Sequence, residues 1–152
     1  MRIIREALAS AALALQIGVV WFFWNRLPAQ VPKHYGIGGT PDDYGDKSLM
    51  VVFLAITMFV YGLLTILSFF PQGLNYPVAV TDKNRERLQA MAVDLLGWIK
   101  AEITLLFLYI TWADIQVARG LSGGLGWAFT PVMLAVLGVT ITAGVVQMRR
   151  VG

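Results

Sequence analysis

Side chains able to do chemistry gather in two places along this chain. The first is the stretch from Leu27 to Lys47, LPAQVPKHYGIGGTPDDYGDK, which holds the only histidine, His34, together with Asp42, Asp43 and Asp46. Histidine titrates near neutrality and nearby carboxylates raise its pKa, so the group is a candidate proton-sensitive or divalent-metal site. His34, Asp42 and Asp46 are its candidate ligands. The same residues serve equally well as braces, because aspartate side chains commonly accept hydrogen bonds from turn amides. Lys47 is expected to pair with one of Asp42, Asp43 and Asp46, and exposed pairs contribute little.

The second place is Lys100 and Glu102, two ionisable residues inside an apolar run. If Trp98 and Trp112 mark two membrane interfaces, Glu102 lies a few ångströms from mid-membrane at about 1.5 Å per residue. A charge there costs roughly 2.5–3.5 kcal/mol to insert. Glu102 is therefore either a proton-titrating group or counter-charge for a cation, or else it is protonated, or bonded to Tyr61, Tyr109 or another helix as packing glue. Lys100 is nearer the inner end, from which its stem can snorkel to the interface. At 100° per residue the two point to nearly opposite sides: Lys100 shares a stripe with Thr104 and Thr111, Glu102 with Tyr109 and Gln116.

Little else is available for catalysis. The chain has no cysteine and one histidine, so an all-protein zinc site would draw most ligands from carboxylates, an unusual set. No metal or other cofactor is expected. Nucleophile-elbow, HExxH, P-loop and dinucleotide patterns are all lacking, and a His34/aspartate hydrolase would want a nucleophile.

The elements that must hold these groups are membrane helices. Of 152 residues, 57% are hydrophobic and 14% charged, with a mean hydropathy of +0.67. Ordinary globular domains carry about 25% charged residues. The apolar residues fall in blocks of about 7–24, 49–70, 95–115 and 127–147, predicting a single domain that is an all-α bundle of four transmembrane helices. The first block follows Arg2 and Arg5 but ends in WFFWNRLP, which reads as an interfacial anchor rather than a signal-peptide cleavage site. Ala7, Ala11, Ala14 and Gly18, and likewise Ala128, Ala135, Gly138 and Thr142, form small-residue stripes suited to close helix packing or to homo-oligomer contacts. The third helix is expected to run from about Thr81, capped by Thr81 or Asp82, to about Ile115. With both faces polar, it should be central.

Between the first two blocks lies an outer loop, about 25–48, with prolines at 28, 32 and 41 and no helical or strand period. Such density of proline and glycine breaks helices, and a loop this long is usually functional or disordered. The stretch has neither long charge runs nor low-complexity repeats, and an ordered functional loop is expected. The linker and helix start at about 71–94 carry Lys83, Arg85 and Arg87, a candidate contact for anionic lipid or a cytoplasmic partner, or a solvated helix start. Arg2, Arg5, Lys83, Arg85, Arg87, Arg149 and Arg150 fall on one side, against Arg26, Lys33, Lys47 and Arg119 on the other. By the positive-inside rule both termini are cytoplasmic and the long loop is extracellular. The basic balance thus reports membrane orientation, not nucleic-acid binding.

The long loop resembles the signature of the SdpI-like family of bacterial membrane proteins, named for an immunity and signalling protein against a secreted toxic peptide. The family pattern is close to LP-x-x-[IV]-P-x-H-[FY]-x-x-x-G-x-P-D-x-[YWF]-G-x-K, matched here by Leu27, Pro28, Val31, Pro32, His34, Tyr35, Gly39, Pro41, Asp42, Tyr44, Gly45 and Lys47. NYPVAVTDKNRERLQ and the following WIKAEITLLFLYITW are also similar to members of this group. The founding type continues into a further membrane region, and this chain is expected to be the shared module alone. The resemblance implies a membrane-bundle fold in a bacterial cell membrane. Three functions compete. In the first, a non-enzymatic sensor or immunity-type binder takes an extracellular peptide or envelope component on the loop. The others are a small transporter or accessory subunit with Glu102 on a polar path, and a membrane-embedded hydrolase using His34 and aspartates.

Overall fold

The structure, a computed structural model, describes residues 2–151. These form helices α1 (Arg2–Phe23), α2 (Leu49–Phe69), α3 (Arg85–Ala118) and α4 (Phe129–Arg149), with strands β1 (Gln30–Tyr35) and β2 (Pro41–Asp46) between α1 and α2. Three of the helices, α1, α2 and α4, are long and apolar enough to cross a membrane. α3 is longer, at 34 residues, or about 50 Å at 1.5 Å per residue. It carries Asp94, Lys100, Glu102 and Asp114 along its length.

α3 is central, as its two polar faces predict: it packs against α1, α2, α4 and β1. α1 approaches closely along Ala9 and Ala12, both buried. The contact line on α1 is Arg5, Ala9, Ala12, Gln16 and Val20. The expected small-residue face of Ala7, Ala11, Ala14 and Gly18 is exposed instead. Gln16 explains the choice. Its amide needs hydrogen-bonding partners wherever water is excluded, and that requirement outweighs what small residues gain by packing. On α4 the Ala135, Gly138 and Thr142 stripe is likewise exposed, and the contact with α3 is made from another side. There Gly144 gives room to Leu95, whose Cδ1 would stand 2.8 Å from a Cβ at that position.

The long loop is not irregular. It is an antiparallel hairpin, with Gln30 opposite Asp46, Val31 opposite Gly45 and Pro32 opposite Tyr44. Register irregularities fall on either side of His34. They erase the two-residue alternation, which is why the sequence shows no strand period. Pro32 and Pro41 are tolerated because a two-stranded sheet is all edge. α3 begins at Arg85 rather than Thr81. The buried Asn84 accounts for the shift: its Oδ1 accepts from the Thr81 amide at 2.7 Å and its Nδ2 donates to Ala79 O at 3.0 Å, fixing a turn ahead of the helix.

Two apolar clusters close the ends. Leu27, Val31, Met50 and Ile115 bind the hairpin's base to α2 and α3. Leu88, Ala92 and Met148 join the start of α3 to the end of α4, with Leu74, Tyr76 and Val78 of the 70–84 segment packed over them.

Candidate functional site

The hairpin has a fastened side and a free side. On the fastened side, Val31 is 1% exposed. The Tyr35 hydroxyl donates to Asp114 Oδ1 of α3 at 2.5 Å. Burial, and then the bond to Asp114, push the Tyr35 pKa well above that of a free tyrosine. At the tip, Gly36 to Gly39 make a turn closed by the Gly39 amide donating to Gly36 O at 2.8 Å. Gly39 has φ +75°. Its carbonyl accepts from the Leu125 amide of the α3–α4 connection at 2.7 Å. A Cβ on Gly39 would meet Gly126 C at 2.8 Å, so glycine is required both for the backbone angle and for the close approach.

On the free side, His34 Nδ1 and Asp42 Oδ1 are 2.6 Å apart, with side chains 68% and 51% exposed. Lys33 Nζ lies 2.8 Å from Asp43 Oδ2. The Lys33 hydrogen bond holds the Asp43 carboxyl below its usual pKa, and bonding to Ser48 does the same for Asp46. Ile37 stands in solvent at the tip. Tyr44 is exposed and Pro41 and Gly45 are partly buried, with Leu49 Cδ1 against Gly45.

The three candidate metal ligands do not converge. Asp46 sits at the open end of the hairpin opposite Gln30, away from His34 and Asp42. Among the described residues no group of three or more histidine or acidic side chains is placed to hold a metal ion. Lys47 does not pair with Asp42, Asp43 or Asp46. Its Nζ lies over the Trp24 ring, 4.9 Å from the centroid, and donates to Trp24 O at 3.3 Å. The lysine that pairs with a hairpin aspartate is Lys33, with Asp43 on the opposite strand. Pro28 is exposed and Pro32 buried, where the chain turns from α1 into the sheet.

Within the bundle, Lys100 and Glu102 do point to opposite sides. Lys100 does not snorkel; it is 2% exposed. Its ammonium donates to Glu6 Oε2 of α1 at 2.7 Å and to Thr65 Oγ1 of α2 at 3.1 Å, and lies 4.9 Å from the centroid of the Tyr61 ring. The stripe it shares with Thr104 and Thr111 is buried throughout. Further along this seam Gln16 Nε2 donates to Thr57 Oγ1 at 3.1 Å and to Thr111 Oγ1 at 2.9 Å. Sequence reasoning left out Glu6, Gln16 and the role of Asp114. Its own stripe of Lys100, Thr104 and Thr111 extends by one helical step to Asp114, which was the available signal.

Glu102 faces α4, and neither Tyr61 nor Tyr109 reaches it. Thr140 Oγ1 donates to Glu102 Oε1 at 2.5 Å, and Oε2 is buried with no partner among the described residues. Tyr109 instead donates to Leu125 O at 2.9 Å and stacks on Phe129. Beside Glu102 a cavity of about 600 Å³ runs between α3 and α4, lined among others by Arg5, Asp94, Trp98, Thr140 and Gln147. Arg5 is ion-paired with Asp94 and crosses Gly97, where a Cβ would be 3.3 Å from its Nε. Lys83, Arg85 and Arg87 are exposed, with Arg85 bonded to Asp82 at 3.1 Å.

Comparison with known proteins bears on the first half of this arrangement. Residues 11–68, from the middle of α1 through the hairpin to the end of α2, match the family model described as a domain of unknown function, DUF1648. An uncharacterized protein of Archaeoglobus fulgidus is 25% identical over 75 residues, covering 41% of this chain and 41% of the relative. The chain thus spans about two-fifths of that relative's length. No solved structure matches. The match to that family model takes in the hairpin and most of the two helices that carry it.

Proposed function

We propose that this chain is a four-span integral membrane protein of a bacterial cell membrane, with both termini cytoplasmic and the hairpin outside. On this reading it is a non-enzymatic receptor of SdpI-like type, which takes an extracellular peptide or envelope component on the free side of the hairpin. The fourth span is α3, whose Lys100 is held by Glu6 of α1 and Thr65 of α2 and whose Glu102 faces α4 rather than lipid. One observation carries the functional reading: a single small sheet is fastened on one side and open on the other. The His34–Asp42 and Lys33–Asp43 pairs and Ile37 offer polar and apolar contacts to a ligand, while Tyr35–Asp114 and Gly39–Leu125 tie the same strands to both ends of the α3–α4 corner. A ligand that shifts the hairpin therefore pulls on α3, which emerges on the opposite side at Arg85 and Arg87. Those exposed residues are suited to a cytoplasmic partner or to anionic headgroups.

Thermal melting of detergent-purified protein tests this, with wild type beside His34→Ala and Asp42→Asn. The scan covers pH, divalent metals and peptides secreted by neighbouring bacteria. A peptide that raises the wild-type Tm and leaves both variants unmoved supports the reading. Variants that melt well below wild type while no ligand stabilises any of the three would make the hairpin scaffolding and defeat it.

A further inference from the structure

The cavity beside Glu102 lies away from the hairpin and has no part in the receptor reading. Its walls are α3 and α4, with Arg5 reaching in from α1. Its volume of about 600 Å³ falls within the roughly 300–1,000 Å³ of small-molecule sites. Most of the wall is apolar, from Met91, Leu95, Val139, Ala143 and Gly144, with the Trp98 indole beside them.

The charges in this cavity do not balance. One guanidinium, Arg5, stands against two carboxylates, Asp94 and Glu102. Arg5 is ion-paired with Asp94 through a terminal nitrogen, its Nε buried without a partner among the described residues, and Lys100 is ion-paired with Glu6 on the opposite side of α3. Glu102 receives one hydrogen bond, from the neutral Thr140, and its second oxygen is buried and unpartnered among the described residues. A carboxylate in an apolar enclosure is costly without a counter-charge, and an aromatic face nearby adds attraction for a cation.

From this geometry we infer that the α3–α4 cavity is a binding site for a hydrophobic monocation, an organic ammonium or phosphonium with an apolar body. Glu102 Oε2 is the counter-ion. Thr140 orients the carboxylate by holding Oε1. Trp98 and the aliphatic wall enclose the apolar part. The single uncompensated negative charge selects a monovalent cation over a neutral or anionic molecule of the same shape.

Tetraphenylphosphonium and tetraphenylborate have nearly the same shape and opposite charge, and together they test the site. Radiolabelled forms of each would be titrated onto the full chain in dodecyl maltoside. Wild type is expected to bind the phosphonium saturably, at one site per chain, and the borate at least tenfold more weakly. Glu102→Gln should lose at least tenfold in phosphonium affinity, whereas Glu102→Asp, which keeps the charge, should stay within a few-fold of wild type. Thr140→Val should retain binding, since the carboxylate remains. Equal binding of the two ions, no saturable binding by wild type, or unchanged phosphonium affinity in Glu102→Gln would each overturn the inference. Should Glu102→Gln fail to fold, the contrast between the two ions on wild type still decides. None of these outcomes touches His34 or Asp42, so this site and the hairpin stand or fall separately.

Discussion

The two sides of α3 handle buried polarity in different ways. Toward α1, α2 and the hairpin, Lys100 meets Glu6 and Thr65, Thr111 meets Gln16, and Asp114 meets Tyr35. Side chains from three elements close on these groups, with Gln16 Oε1 left buried without a partner among the described residues but not lining the cavity beside Glu102. Toward α4, Glu102 meets only Thr140 and faces a cavity. A polar group buried on folding needs a partner, and a structural site supplies one from the protein itself. Leftover hydrogen-bonding capacity beside open volume is what a ligand site offers. The first side should then respond to mutation through stability, the second through binding.

The largest effect belongs to the paired side. Glu6→Gln leaves the Lys100 ammonium enclosed without a counter-charge. Breaking a fully buried pair costs about 3–5 kcal/mol. Glu6 is 41% exposed at its side chain, so partial hydration reduces the expected loss to about 2–3 kcal/mol. Chemical denaturation in detergent should read it directly. Adding Lys100→Met to Glu6→Gln should recover much of that loss, because the uncompensated charge is gone. No recovery would mean that Lys100 is held by something other than ion pairing.

Next comes the hairpin's attachment, which bridges the two sides by gripping both Asp114 and the α3–α4 connection. Gly39→Ala must adopt φ +75° with a methyl group pressed on the Gly126 backbone. About 1–3 kcal/mol of backbone strain is expected. The Leu125 amide, freed from Gly39 O, should then exchange with deuterium much faster while the α1–α3 seam keeps its protection. Loss of protection throughout the bundle would show that the hairpin is integral to the fold rather than clipped onto it.

Tyr35→Phe removes one bond to Asp114 and should cost about 1–2 kcal/mol at neutral pH. Its pH dependence carries the sign. The folded-state pKa of Tyr35 is raised, by burial first and then by Asp114. The stabilisation is thus fully present below the ordinary tyrosine value of about 10 and is lost as pH rises beyond it. Wild type should lose stability above that pH faster than Tyr35→Phe does, so that the two melting curves converge. Parallel curves would place the phenol in water.

How much of this was legible follows from what each signal needs. Apolar runs free of charge, such as Leu49 to Phe70, announce a helix without any knowledge of neighbours, and α2 ends within one residue of that run. The centrality of α3 was legible as well, because Lys100 and Glu102 two residues apart need partners on two sides. Partners themselves were not. Arg5 and Lys83 look alike as basic residues near an apolar block, yet Arg5 is buried against Asp94 and Lys83 is exposed. Only three-dimensional packing separates them. The hairpin was hidden for a local reason: adjacent Val31 and Pro32 are both buried and the register slips at His34, so no alternation survives. The resemblance of LPAQVPKHYGIGGTPDDYGDK to a family signature singled the stretch out without giving its shape. The small-residue stripes misled because they report where a helix could be approached closely, while Gln16 reports where it must be.

The smallest stability effect is expected at the group that looks most anomalous. Glu102→Gln keeps an oxygen to accept from Thr140 and removes a charge that has no ion-pair partner among the described residues. Burying a carboxylate without a cation opposes folding, so its removal should leave Tm unchanged or raise it. Glu6→Gln is the same chemical change on a neighbouring helix, and the comparison between sides requires the two variants to diverge in sign or by a wide margin. Equal destabilisation would mean that Glu102 is as much a structural ion as Glu6, with a partner supplied from outside the chain, and the two sides of α3 would no longer differ in kind. Divergence would identify Glu102 as a group kept at some cost to the fold, which is the pattern of a residue retained for what it binds.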